Sequence, residues 1–199
     1  MPENEKPIDG PEAAHEARPQ IWAGSWLDYN NGTLHGQWID AARDADEVWA
    51  DIHTMLAASP TARRHGEIAE EWGIFDHDNF GPLHVGEQAD IGYITAVARG
   101  IAEHGPAFAA WADLAGDDRE QLDKFEDAFL GTYDSLTAYV DQLVDDLGYQ
   151  DLIDEALPES IRPYVRINTE ALAHDMRLSG DIHAEDATDD STWIFDTRT

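Results

Sequence analysis

The chain contains no cysteine and only two lysines, Lys6 and Lys124, among its 199 residues. Without thiols it forms neither disulfides nor thiolate metal sites, which fits a reducing cytoplasm. Long apolar runs are missing as well. No stretch of about 18 apolar residues could span a bilayer and no signal-peptide pattern is present, so a cytoplasmic protein with no membrane contact is expected. Basic residues are too few and too scattered to make a nucleic-acid footprint: Arg63 and Arg64 are the only adjacent pair. Direct binding of nucleic acid is therefore excluded. The patterns GxxxxGK[ST], GxGxxG and GxSxG do not occur, which removes the usual signals for nucleotide hydrolysis, dinucleotide binding and serine hydrolase chemistry.

What the chain does have is acid. Forty-two Asp and Glu against twelve Lys and Arg give a net charge of −30 at pH 7. Hydrophobic residues still make up 42%, with seven Trp, so the chain can build real cores, as one domain or several small ones packed together. A compact domain of this length has a radius of gyration of about 16 Å, and self-repulsion at this charge favours an elongated shape. The charge is unevenly spread. Residues 1–60 carry −8, 61–112 carry −5, 113–160 carry −13 and 161–199 carry −4. Adaptation to high salt, which the scarcity of Lys and abundance of Asp also suggest, would produce a more even distribution. Basic surfaces, cations or neutral small molecules are the partners such a balance allows.

Met1 to Arg18 has little to bury and reads as a disordered tail. A short strand follows around Ile21, Trp22 and Trp26. The Asn-Gly signal in YNNGTLHGQWIDA then predicts a hairpin, or a close relative of one, with a second strand over Leu34–Ile39. Asp44 can cap a helix over 45–58 with Val48, Ile52, Met55 and Leu56 inward; Pro60 stops it, and 61–66 reads as a loop. WGIF, within 70–77, predicts a third strand joining the first two in a small sheet covered by that helix. Residues 90–103 read as a helix with Ile91, Ile94, Val97, Ala98 and Ile101 on one face, ended by Gly105, and Pro106 starts another carrying Phe108 and Trp111.

Two acidic helices are expected next. In the first, 118–130, Leu122, Phe125 and Phe129 recur at helical spacing and Gly131 ends the run. In the second, Ser135 is the N-cap, Leu136, Tyr139, Val140, Leu143, Val144 and Leu147 form the stripe, and Gly148 closes it. Asp141, Asp145 and Asp146 then face outward. Like charges at i and i+4 cost an isolated helix a few tenths of a kcal/mol, so their clustering invites a functional reason. The remainder reads as a strand (YVRI, from Tyr164), a helix over 169–178 ended by Gly180, and strands at 182–185 and 192–195, a second α+β unit. The expected fold class is α+β: elongated, with small mixed α/β subdomains at both ends (20–66 and 116–199), a mainly helical middle (67–115) and a tail over 1–19.

Among so many acids, accidental motifs are expected. Asp76, Asp78, Gly81 and Glu87 match positions 1, 3, 6 and 12 of a calcium loop, but position 5 is Phe80 and the preceding WGIF predicts a strand where an entering helix is needed. There is no HxxxH pair. No metal and no cofactor are expected, and no carboxylate pair stands out as an acid and base.

Several stretches together resemble the ArdA antirestriction family of mobile genetic elements: YNNGTLHGQWIDA, WGIFDHDNFG followed by GE (Trp72 to Glu87), GTYDSLTAYVDQLVDDLG (Gly131 to Gly148) and INTEALAHDMRLSGDI (Ile167 to Ile182). Leu143–Gly148 is similar to the segment called the antirestriction motif in that family. The resemblance implies a non-enzymatic inhibitor of type I restriction-modification enzymes that blocks restriction, and modification with it. It implies an elongated homodimer of three small domains per subunit, similar to bent B-form DNA in shape and charge, bound in the DNA groove of the target's methyltransferase core. The candidate partner-binding residues are Asp113, Asp117, Asp118, Glu120, Asp123, Glu126, Asp127, Asp134, Asp141, Asp145, Asp146, Asp151, Asp154 and Glu155. Acids at i and i+3 or i+4 on a helix lie about 5 to 6 Å apart, comparable with successive phosphates on one strand. Two alternatives stay open: a salt-adapted acidic protein with a metal-binding or enzymatic role, and a general acidic decoy for basic DNA-binding proteins.

Overall fold

The computed structural model describes residues 18–116, 118–187 and 189–199. The expected tail lies outside the described residues as far as residue 17. From there the chain is anchored: Arg18 pairs with Asp40 at 2.7 Å, and the buried Pro19 accepts a hydrogen bond from Ala41 N at 2.9 Å. The fold is α+β, with a three-stranded antiparallel sheet at each end of the chain and helices between. Residues divide into two compact units, 1–109 and 110–199.

In the first unit, β1 (Gln20–Ser25) is the central strand, flanked by β2 (Gly36–Asp40) and β3 (Trp72–Asp78). β1 and β2 pair antiparallel from Gln20 with Asp40 to Gly24 with Gly36, the expected close relative of a hairpin. Its connection holds a short helix absent from the sequence reading, α1 (Trp26–Asn30), capped by Ser25 Oγ, which accepts from Asp28 N at 3.3 Å. The Asn-Gly signal therefore closes α1 instead of a two-residue hairpin turn. α2 (Ala45–Ala57) buries Val48, Ile52, Met55 and Leu56 as expected. Asp44 sits at its N-cap position without a side-chain cap bond; its carboxylate pairs with Arg99 at 2.9 Å instead.

Pro60 does not end helical structure here. It occupies the first turn of α3 (Pro60–His65), where its missing N–H and fixed φ cost nothing, and Ser59 Oγ caps the helix by accepting from Ala62 N. α4 (Ile91–His104) is capped by Asp90, whose carboxylate accepts from Tyr93 N at 2.7 Å, and α5 (Pro106–Ala115) follows Gly105. Ile21, Ala23, Ile39, Ile74 and Phe80 form the core with the inner stripes of α2 and α4. Each fully buried Ile or Val contributes roughly 1.5–3 kcal/mol through removal from water.

The second unit departs most from expectation around residue 125. The single helix expected over 118–130 is two one-turn helices, α6 (Arg119–Leu122) and α7 (Phe125–Ala128), and Phe129 opens the strand β4 (Phe129–Tyr133). Gly131, expected as a terminator, is inside that strand at φ 125°, where the register with β6 shifts. The i, i+3, i+7 spacing misleads because Phe129 stacks on Phe125 at 5.1 Å from an extended backbone, which keeps both rings on one side. α8 (Leu136–Asp146) begins at Ser135 as expected, and Gly148, at φ 64°, links it to α9 (Tyr149–Ala156), which had no assignment. YVRI is not a strand: Arg162–Tyr164 makes a single 3-10 turn. α10 (Thr169–Ser179), β5 (Ile182–Asp186) and β6 (Thr192–Asp196) agree with the sequence reading.

The order β4-β6-β5 places the last strand in the middle. β6 is buried on both faces. Ile194 packs with Ile182 and Ala184 beneath Leu136, Tyr139 and Met176, while Phe195 lies among Trp111, Phe125 and Phe129 at centroid separations of 5.5–6.4 Å.

Candidate functional site

The candidate surface is built on α8. Ser135 Oγ accepts from Ala138 N at 3.1 Å, satisfying an otherwise orphaned helix donor. Val140 and Val144 are buried against Ala173 of α10, with Leu136, Tyr139, Ile167, Leu172 and Met176 around them. That stripe fixes the rotation of the helix, so Asp141, Asp145 and Asp146 are exposed. Asp146 accepts a long 3.5 Å bond from Gln142, one turn back.

The remaining candidates are presented by neighbouring elements of the same unit. Leu122 and Phe125 are buried, which leaves Glu120, Glu126 and Asp127 exposed on α6 and α7 and Asp123 exposed between them. Trp111 Nε1 donates to the Gln121 carbonyl at 2.8 Å and pins this segment to α5, which carries the exposed Asp113. Asp118 caps α6, accepting from Glu120 N at 3.0 Å. Asp134 is exposed between β4 and α8, and Asp117 lies outside the described residues. On α9, Asp151 and Glu155 are exposed, whereas Asp154 is half-buried and accepts from Gln150 at 2.8 Å, with Arg166 3.6 Å away.

Of the thirteen described candidates, twelve are exposed. Asp141, Asp145, Asp151 and Glu155 make no ion pair with a described residue. One of the two basic residues in residues 113–160, Lys124, donates to the Thr199 carbonyl. Elsewhere in this unit a carboxylate is neutralised: Arg198 stands 2.6 Å from Asp196 and holds its carboxyl below the usual range.

Sequence reasoning missed an apolar component of this surface. α9 buries no residue, and Leu147, Tyr149, Leu152, Ile161 and Tyr164 are exposed on and beside it. The available signal was the apolar stripe of Tyr149, Leu152, Ile153 and Ala156, at i, i+3, i+4 and i+7, which predicts an amphipathic helix. Among the described residues, no three His, Asp or Glu side chains form a metal-holding group, and no helix is long and apolar enough to cross a membrane. Asp76 and Asp78, at the head of the calcium-like pattern, lie on β3.

Fold and surface together define a small acidic α+β protein that presents an ordered array of carboxylates on amphipathic helices. The sequence model of the family described as Antirestriction protein (ArdA) matches residues 21–188, and the chain belongs to that family. A search of curated proteins gave no match.

Proposed function

We propose that the protein is a DNA mimic: a non-enzymatic inhibitor that occupies the DNA-binding groove of a type I restriction-modification enzyme, on its methyltransferase core, and blocks restriction and modification. The observation that carries this reading is the exposure of twelve of the thirteen described candidate carboxylates, with those of α8 held on a helix whose apolar stripe is packed against α10. Such acids are fixed in place without being neutralised. They can replace phosphates in a basic groove, and binding releases the counterions of both surfaces. Restriction enzymes as a class are partners implied by the family.

A homodimer belongs to the same proposal. The exposed apolar residues around α9 form a surface that a second copy would cover, which would account for a helix that buries nothing within its own chain. Three small domains per subunit and a cytoplasmic location belong to the same proposal.

The test is inhibition of DNA binding by purified type I methyltransferases at increasing salt. Stoichiometric block is expected, with affinity falling about 10³-fold or more between 50 and 200 mM salt if six or more charges are matched. No block across several such enzymes would refute the reading. A salt-insensitive block would refute the mimicry.

A further inference from the structure

A cleft of about 610 Å³ in the first unit, lined by α1, β3 and residues 84–87, contains none of the candidate acids. Trp26, Tyr29 and Phe75 line it, ring against ring, at centroid separations of 4.6–5.6 Å and with mostly edge-on geometry. Its volume lies in the range of ligand pockets. Two glycines set this arrangement. A Cβ at Gly24 would come within 2.6 Å of the Phe75 ring, and one at Gly73 within 2.9 Å of Trp26 Nε1, so the rings can settle onto the sheet only because both side chains are missing. Tyr29 remains 55% exposed and Leu34, at the rim, 71% exposed. Such exposure is unusual for large apolar side chains gathered in one concavity.

Asp76, Glu87, His77 and His84 also line the cleft, and among the described residues neither carboxylate is in an ion pair. Asp76 Oδ1 takes the His77 amide at 2.8 Å, which holds the carboxylate in place. Aromatic faces attract cations through the ring quadrupole, and carboxylates at the rim add direct charge. A nucleic acid or an anionic ligand is repelled by the same groups. A second copy of this chain is a poor occupant, because it brings forty-two acidic residues and only twelve basic ones.

We infer that this cleft is a docking site for an arginine side chain of a basic protein partner. Arginine fits better than lysine because its planar guanidinium stacks on rings, forks onto a carboxylate and sheds water more readily than an ammonium group. That the partner is a DNA-handling enzyme rests on the functional reading above; the chemistry of the cleft does not.

The test uses the full-length protein and three blocked tripeptides, acetyl-Gly-Arg-Gly-amide and its lysine and citrulline counterparts, followed by the indole N–H resonance of Trp26. A saturable shift with the arginine peptide is expected. Binding of the citrulline peptide, which keeps the planar shape but loses the charge, should be weaker by on the order of tenfold, with lysine between the two. Tyr29→Ala should weaken arginine binding about three- to fivefold, Tyr29→Phe should retain it, and Glu87→Gln should weaken it. The assignment is overturned by citrulline binding equal to arginine, by lysine equal to arginine, by the absence of a saturable Trp26 shift, or by full binding in a folded Tyr29→Ala variant. Peptide binding without inhibition of any restriction enzyme would keep the cleft and remove the functional reading; inhibition without peptide binding would do the reverse.

Discussion

The two units use their carboxylates in opposite ways. In the first, several acids are connectors: Arg18 joins Asp40, Arg43 joins Asp51, Arg99 joins Asp44, and Asp28, fully buried on α1, accepts from Thr61 N at the start of α3 at 2.9 Å. In the second, the acids of α8 and most of those on α9 hold nothing together within the chain. Charge counts alone cannot separate these roles. Solvated acids occur in the first unit too, Asp46, Glu47, Glu70 and Glu71 among them, but they are denser in the second, where α8 and its neighbours display them.

The sharpest way to break the comparison is to remove Asp28. Burial pushes its carboxyl upward, but the hydroxyls of Ser59, Thr61 and Ser25 and the Thr61 amide outweigh this, and the group lies well below the usual range. Geometrically, the Thr61 amide bond is the clear contact. Oδ2 of Asp28 and Oγ1 of Thr61 lack hydrogen-bond partners in this buried cluster, so the amide carries most of the anchoring. Asp28→Ala leaves a buried donor unpaired and should cost about 3 kcal/mol in denaturant unfolding. Because the folded carboxyl is depressed, its contribution is complete above the unfolded value of about 3.9 and is lost as pH falls toward the folded value. Asp28→Asn should flatten stability in that acid window.

Neutralising Asp141, Asp145 and Asp146 together to Asn should do the contrary. The fold should be as stable or slightly more so, since like charges at i and i+4 cost a few tenths of a kcal/mol, while affinity for the restriction enzyme falls on the order of tenfold or more. Each single change should reduce inhibition less than about twofold, because the charge is distributed. One folded single variant that abolished inhibition would contradict this. A smaller effect comes from the support of the array: Ser135→Ala removes the α8 cap and should lower stability by about 1 kcal/mol, measured by thermal or denaturant unfolding. Smallest of all is Arg99→Ala. Its pair with Asp44 is exposed at 50% and 76%, so the expected loss is below about 0.5 kcal/mol, and a larger one would mean that exposed acids of the first unit are structural too.

The parts of this structure that the sequence displays are those set by local chemistry. The Ser135 cap, the stripes of α2 and α4, that of α8 as far as Val144, and the glycine ends at Gly105 and Gly180 follow from spacing and capping alone, whereas Leu147, expected on the last stripe, is exposed. The misreadings arise where tertiary contacts override local pattern. Phe125 and Phe129 share a helical period but meet across a helix-to-strand junction because β6 recruits Phe129 into a sheet. YVRI has strand-forming residues but pairs with no described strand, and Pro163, just before it, sits in the 3-10 turn. The acidic surface was legible because exposed charge on an amphipathic helix follows from periodicity. The aromatic cleft was not, because Trp26 and Tyr29 on α1 meet Phe75 on β3 only through sheet pairing.

The central position of β6 has a consequence during synthesis. β4 finds its neighbour about sixty residues later in the chain, at Thr192–Asp196, and β5 cannot reach β4 without it. The first unit can fold once β3 and α4 have left the ribosome, but the second must wait for its last strand, and closing so large a loop is slow. The helices that carry the densest charge are therefore translated well before they are held in place. Until β6 arrives, the nascent protein is an acidic polymer with one finished unit, and its ordered anionic surface forms as one of the last events in its making.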